Sequence, residues 1–539
     1  MSNFPFLSVL TVAPLVGALV VAFLPRHRPE LAKQVAFAWS LLVLVLSVVM
    51  WVSFNAGGDR FQFRESYSWI PNWGVSFTFA ADGIALVMLM LIAVLVPLVI
   101  LASWHDADEV SGAPTATKHG PGSAPLEGAA RAGNLASSKR SVPVYFALLL
   151  VLECTMIGVF AAADVFLFYV FFEVMLVPMY FLIGSYGGHQ RQYAAVKFFL
   201  YSLVGGLFML AAVIGLWVVG GKTFDWQALS QVDISTGTER WLFLGFFLAF
   251  AIKAPFFPFH TWLPDAGGAA PAGAAALLVG VLDKVGTFGI LRYCLPLFPE
   301  ASKWFAPWAL ALGVIGIVYA ALLAVGQNDL KRLVSYTSIA HFGFIGVGIF
   351  AFTTQAGTGA VLYMLNHGLA TGLLFLVVGM LISRRGSALI SDFGGAGKLV
   401  PVLAGVLFFA GLASLALPGT APFISEFLVL IGTFTVNKPV AVIATLGIIL
   451  AAAYVLWMVQ RTTQGTLNPA LTEVDGMRRD LNLREKVVVA PLIALIVLLG
   501  FFPKPVTDVI NPAVQATMDD IGRTDPAPSV GGTVQEAAR

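Results

Sequence analysis

Two ionisable residues, Glu173 and Lys253, sit in the middle of long apolar runs, DVFLFYVFFEVMLVPMYFLIG and WLFLGFFLAFAIKAPFFPFHTWLP. A charge at the centre of a bilayer costs about 2.5–3.5 kcal/mol on insertion scales. Burial disfavours the charged form of either group, and a nearby opposite charge favours it. An acid and an amine so placed can pass a proton between them. The chemistry they point to is proton or ion movement through a membrane. A structural ion pair, or a neutral Glu173 bonded to a backbone carbonyl or a serine, is the plainer alternative.

Further candidates follow along the chain. Lys284, in LLVGVLDKVGTFGILR, is a second amine in an apolar run. Asp283 precedes it, but adjacent helix positions do not face each other, and the spacing gives Asp283 no role. A structural pairing of Lys284 or Asp283 with a neighbouring helix stays open. Glu426, in LPGTAPFISEFLVLIGTF, holds the place in the second half that Lys253 holds in the first. His341 and His367 fall between Lys284 and Glu426, with Ser335, Thr337, Ser338 and Asn366 nearby. Imidazole accepts and donates protons near neutral pH, so the two histidines read as relay members. A hydrogen-bonded core histidine is the bland reading of each. Glu153, in ALLLVLECTMIGVF, is another carboxyl in an apolar run. Asp164, His260, Asp265 and Asp329 fall at expected helix ends, where capping or solvation is the ordinary role, and Arg292 reads as a snorkelling interface residue.

The elements that hold these residues are set by composition. The chain has 539 residues, 58% hydrophobic and only 11% charged, whereas a soluble domain carries about 25% charged residues. It is an all-α polytopic membrane protein. A net charge of +2 gives no sign of nucleic-acid binding. The two cysteines cannot supply the four ligands of an iron–sulfur cluster. No metal-ligand cluster, Ser–His–Asp pattern or phosphate-binding loop occurs, so nothing supports catalysis by this chain alone. The N-terminal run lacks a basic leader and reads as a first span, not a cleaved signal.

About 14 segments are long and apolar enough to span, and an even number puts both termini on one side. Most of the 31 Lys and Arg residues fall on one alternating set of loops, among them Arg191, Lys197, Lys331, Arg332, Arg384 and Arg385. Basic loops stay in the cytoplasm, so both termini are expected outside. The chain divides into an N-terminal three-helix segment (1–103), a flexible cytoplasmic loop (104–142), a first five-helix unit (143–296), a second (303–460), a cytoplasmic loop (461–485), and a last helix with a polar tail (486–539).

Proline placement locates the working region. Pro255 and Pro258 interrupt the seventh segment after Lys253, and Pro418, Gly419 and Pro422 interrupt the twelfth before Glu426. Proline removes a helix hydrogen bond and clashes with the preceding turn. Two broken spans five segments apart predict two repeats, helices 4–8 and 9–13. An odd number of helices makes the repeats inverted. Paired broken helices are a pointer to a transport site.

The runs FYVFFEVMLVPMYFLIG, IKAPFFPFHTWLPDA, QNDLKRLVSYTSIAHFGF, YMLNHGLATGLLFL and LPGTAPFISEFLVL resemble the antiporter-like membrane subunits of respiratory complex I, the type I NADH–quinone oxidoreductase. The resemblance extends over nearly the whole chain, apart from 104–142 and the tail. It implies fourteen helices with two inverted five-helix repeats and broken helices seven and twelve. By resemblance, Glu173 and Lys253 are the acid–lysine pair of a first half-channel, and Lys284 is the central lysine. His341 and His367 are linking histidines, Glu426 is the terminal acid, and Glu153 is a further acid of helix four. The other two antiporter-like subunits, and the sodium/proton antiporter chains they resemble, usually carry Lys where this chain has Glu426. After HTWLPDA the family usually has polar residues near an APT-like turn; here the chain reads GGAAPAGAAALL.

What the resemblance implies is a proton-translocating membrane-arm subunit driven by quinone reduction elsewhere. This chain would hold no cofactor, with FMN, iron–sulfur clusters and quinone in other subunits of the enzyme. Its partners would be the other membrane-arm subunits, including two antiporter-like siblings, in the lipid bilayer of a bacterial plasma membrane. A multisubunit sodium/proton antiporter chain, a hydrogenase-linked membrane subunit and a non-pumping structural subunit are the competing expectations.

Overall fold

A computed structural model describes residues 4–108 and 141–526. Most of the expected 104–142 loop and the end of the tail lie outside these residues. A backbone in lipid must satisfy its own N–H and C=O groups, and the apolar runs accordingly fold as helices. Among the described residues, ten helices are long and apolar enough to cross a membrane. Three shorter apolar helices, Phe6–Ala22, Pro401–Ser414 and Ala421–Val436, accompany them, with a pair bent by 69°, Leu483–Phe501 and Lys504–Asp520. Thr236–Lys253 carries Glu239, Arg240 and Lys253 on 18 residues.

The helices sort into an inner group and an outer ring. Ala272–Leu297 is wholly buried, and Leu330–Phe350 and Thr354–Arg385 nearly so. Pro29–Ser53, Arg191–Val219 and Lys438–Thr463 turn most of their surface outward, through residues such as Val45, Val52, Leu207, Ile214 and Ile449. Inner helices meet through small residues, which let backbones approach closely. Gly280 lies against Gly368, and Gly313 against Gly343.

Four irregularities place the ionisable residues. Thr236–Lys253 ends on Lys253, and helix resumes only at Leu263–Ala269. Pro255 and Pro258 have no N–H to continue the ladder, and the Trp262 indole donates to the Ile252 carbonyl at 2.8 Å. The second break separates Pro401–Ser414 from Ala421–Val436. Ala416 and Gly419 there have φ of 59° and 93°, the left-handed region in which a non-glycine such as Ala416 is strained. Lys253 ends the helix before its break, whereas Glu426 lies in the helix after its own, so the two are not positional equivalents. Glu173 sits at a third irregularity, between Val165–Val174 and Leu176–Tyr186, where Pro178 leaves the Val174 carbonyl without its helical donor. The fourth is in the buried helix, which contains two π-helical stretches, Leu278–Leu282 and Ile290–Cys294. Such stretches are frequent at functional sites.

Several features depart from the sequence expectations. An antiparallel hairpin, Gln62–Ile70 with Val75–Ala81, interrupts the all-α design; the alternation in FQFRESYSW is its signal. Helix Lys504–Asp520 occupies part of the segment read as polar tail. Leu7 and Ser8 N–H groups donate to Glu65 of the hairpin at 2.8 and 3.1 Å. Arg60 pairs with Asp520 at 2.7 Å. The start of the first helix, the hairpin and the last helix therefore share one face. Arg292 does not snorkel: it is buried and pairs with buried Asp82 at 2.5 Å. Asp164 and Asp329 cap helices as expected, accepting from Phe166 and Leu167, and from Arg332. Asp265 instead joins Lys197 and Arg332, at 2.7 and 2.6 Å.

Removing one member of a buried ion pair leaves the other charge uncompensated. Arg292→Ala should therefore destabilise the protein by about 3–5 kcal/mol, read as a lower thermal midpoint in detergent. An unchanged midpoint would show that Asp82 does not need its partner.

Candidate functional site

The broken helices bring most of the candidate residues toward the buried helix Ala272–Leu297. Glu173 is half-buried, and its Oε1 has no hydrogen-bond partner. Lys253 is buried, and its Nζ lies 4.9 Å from the Phe172 ring centroid and 5.7 Å from that of Phe198. A cation over a ring face is attracted by the ring quadrupole. No ion pair within 4.0 Å joins Glu173 to Lys253 among the described residues, yet each acts electrostatically on the other. They interact through space and not by contact.

Two glycines set that arrangement. Gly205 packs against Ala249 and Ile252 of the Lys253 helix, and a Cβ on Gly206 would overlap the Glu173 carboxylate. The GG step of Arg191–Val219 thus lets one helix touch Glu173 and the helix that ends in Lys253. The sequence reading passed over it, although two adjacent glycines inside an apolar run signal close approach.

Lys284 is different, because it is in direct contact. Its Nζ donates to the Val279 carbonyl, and lies 2.6 Å from His367 Nδ1. The ammonium has no acceptor capacity, so when Lys284 is charged Nδ1 of His367 must accept. The His367 and His341 rings are 5.3 Å apart between centroids, at 81°. The His341 and Tyr363 rings are 5.8 Å apart. His341 also lies against the backbone of Ser414, where the second break begins. The Tyr363 hydroxyl faces buried Glu426. The Asn366 amide donates to the Ala421 carbonyl at 2.8 Å and to Ser425 Oγ at 3.4 Å. That fastens the Glu426 helix to the His367 helix.

The structure thus gathers Glu173, Lys253, Lys284, His367, His341 and Glu426 into one row. Glu153 stands outside it. Its carboxyl is buried, both oxygens are unpartnered, and no charged group of the described chain acts on it. Tyr363 belongs to the row although sequence reading gave it no part. Tyr363 could have been found from its spacing, since it lies four residues before His367 and shares its face. Among the described residues no group of three or more His, Cys, Asp or Glu could hold a metal ion. Cys154 and Cys294 are buried free thiols. A row of titratable groups set side by side has the chemistry to move protons between neighbours.

Comparison with known proteins places this arrangement. The family model described as NADH:quinone oxidoreductase/Mrp antiporter, TM, matches residues 162–451. The chain is 48% identical to NADH-quinone oxidoreductase subunit M of Mycobacterium tuberculosis (strain ATCC 25618 / H37Rv) over 544 residues, covering 98% of this chain and 97% of the relative. Among solved structures it is similar to a chain of respiratory complex I from Thermus thermophilus with bound NADH. That match has a TM-score of 0.81 and 29% identity, covering 96% of this chain and 100% of the other. A chain of the Mrp complex from Dietzia sp. DQ12-45-1b shares the fold, with a TM-score of 0.80 and 20% identity, covering 96% and 98%.

Misplacing a reacting group by about 1 Å can cost on the order of 100-fold in rate. Gly206→Val, which displaces the Glu173 carboxyl, should sharply reduce proton transport in membrane vesicles while the protein still accumulates. Transport at the unsubstituted rate would show that the position of Glu173 does not matter.

Proposed function

This chain belongs to the NADH:quinone oxidoreductase/Mrp antiporter membrane-subunit family, and we propose that its buried row carries protons across the bilayer in the membrane arm of an NADH–quinone oxidoreductase. The chain is a subunit-M-type member of that enzyme complex. The observation that carries the proton reading is the 2.6 Å contact between Lys284 and His367 inside a wholly buried helix group. An amine and an imidazole in contact out of water have little use except to share a proton.

In this reading Glu173 and Lys253 form the gate of the first half. Loss of the Lys253 proton leaves Glu173 without a through-space counter-charge, and regaining it restores the pair, so the two charge states are coupled. Lys284 hands a proton to Nδ1 of His367, which releases one from Nε2 toward His341. Imidazole can pass a proton this way because its two nitrogens exchange donor and acceptor roles. Tyr363 and Glu426 receive it at the second break. Moving one charge against the membrane field costs about 2.3 kcal/mol per 100 mV, so the drive must come from quinone reduction in other subunits. The flavin, the iron–sulfur clusters and the quinone are assigned to those subunits.

The finer architecture belongs to the same proposal. The ten long helices, with Phe6–Ala22, Thr236–Lys253, the two-part span Pro401–Ser414 and Ala421–Val436, and Leu483–Phe501, make fourteen spans when each broken one is taken as one. Spans 4–8 and 9–13 form inverted repeats. The face shared by Phe6 and Asp520 is the outer side of a bacterial plasma membrane, and two antiporter-like siblings are among the chain's partners. The carboxyl of Glu426, where sodium/proton antiporter chains usually carry Lys, favours the oxidoreductase over an antiporter.

Lys253→Ala in membrane vesicles tests the proposal, with assembly, quinone-reductase rate and pH gradient scored separately. Normal assembly with a severalfold smaller gradient is expected. Normal assembly with a normal gradient would sink the relay and leave a structural subunit. Sodium-dependent proton exchange without quinone reduction would move the chain to the antiporters.

A further inference from the structure

Asp283 has no place in the row just described. It is fully buried, and both carboxylate oxygens lack a hydrogen-bond partner. Leaving a buried polar group unsatisfied is costly, and more so for a charged one. A leucine would fill the same volume without that cost. Asp283 is therefore a poor choice for packing alone.

Its setting shows what it faces. Asp283 lies between the π-helical stretch Leu278–Leu282 and the α-helical turn Lys284–Gly289, with its N–H donating to the Leu278 carbonyl at 3.2 Å. Residues three apart share a face of a helix, so Asp283 lies on the side of Gly286, and Gly286 on that of Gly289. A Cβ on Gly286 would overlap the backbone of Phe250 and Ala254, and one on Gly289 would overlap the Phe250 ring. That side is pressed onto the last turn of the helix that ends in Lys253. Lys284, the next residue, points elsewhere and touches His367. The adjacent acid and amine thus look toward the two halves of the row. Asp283 also acts electrostatically on both lysines.

We propose that Asp283 is a proton carrier between Lys253 and Lys284. The Lys253 ammonium gives a proton to the Asp283 carboxylate, leaving a neutral amine and a neutral acid. The Asp283 acid then gives that proton to the Lys284 amine, restoring the carboxylate and forming an ammonium that faces His367. Charge and protons balance at each step, and no further reactant is needed. The inference rests on the proton-relay reading above and adds a link to it.

The test uses the whole enzyme complex in membrane vesicles, comparing Asp283→Asn, Asp283→Glu and Lys253→Ala for assembly and for the NADH-driven pH gradient. Asp283→Asn should assemble normally and lower the gradient severalfold, and Asp283→Glu should restore most of it. A normal gradient in Asp283→Asn, with a lost one in Lys253→Ala, overturns the carrier and leaves the relay standing. Normal gradients in both overturn both. Failure of Asp283→Glu to restore the gradient shows a requirement for shape and overturns the carrier. If Asp283→Asn does not assemble, Asp283→Leu, which buries no polar group, is read by the same criteria. Failure of both to assemble makes the acid structural and likewise overturns the carrier.

Discussion

Ionisable side chains and broken helix backbone must both be kept from lipid, and the architecture is arranged around that requirement. An interrupted helix leaves carbonyl and N–H groups that hydrocarbon cannot satisfy. Here they find partners inside the protein. The Trp262 indole takes the Ile252 carbonyl, the Lys284 ammonium takes that of Val279, and the Asn366 amide takes that of Ala421. Each donor is itself fully buried, so the breaks can exist only where other helices surround them. The outer ring of Leu-, Val- and Ile-rich helices follows from the same requirement.

Close packing then gives the ionisable groups their neighbours. Glycine supplies the approach: Gly205 and Gly206 between the Glu173 and Lys253 helices, Gly286 and Gly289 between the Lys253 and Lys284 helices, and Gly280 with Gly368 beside the histidines. The interior holds amines and carboxyls that lack direct ion pairs, while true pairs such as Arg292–Asp82 lie off the row. A tight ion pair holds both its charge states fixed; a pair acting only through space leaves each member freer to change its own. The row is built of the second kind, with the Lys284–His367 contact as its one close joint.

Much of the site was legible in the chain. Glu173, Lys253, Lys284, His341, His367 and Glu426 are polar residues in runs that are otherwise apolar, and such residues face the interior because lipid penalises them. Pro255, Pro258, Pro418 and Pro422 marked both interrupted spans. Other features were not legible. Arg292 near a helix end reads as snorkelling until Asp82, far away in sequence, is seen against it. Glu153 looks like the other buried acids, and only the absence of charged neighbours around it separates it from the row.

The sequence by itself determined that the chain lies in a membrane, where its helices break and which residues carry charge within them, because hydropathy, proline and charge act locally. Tertiary structure alone decided what each side chain faces. A helix repeat fixes directions relative to its own axis, but rotation about that axis is set by packing. The π-helical stretch before Lys284 adds a rotation that no apolar pattern records. Asp283 and Lys284 are neighbours in the chain, yet packing turns one toward Lys253 and the other onto His367.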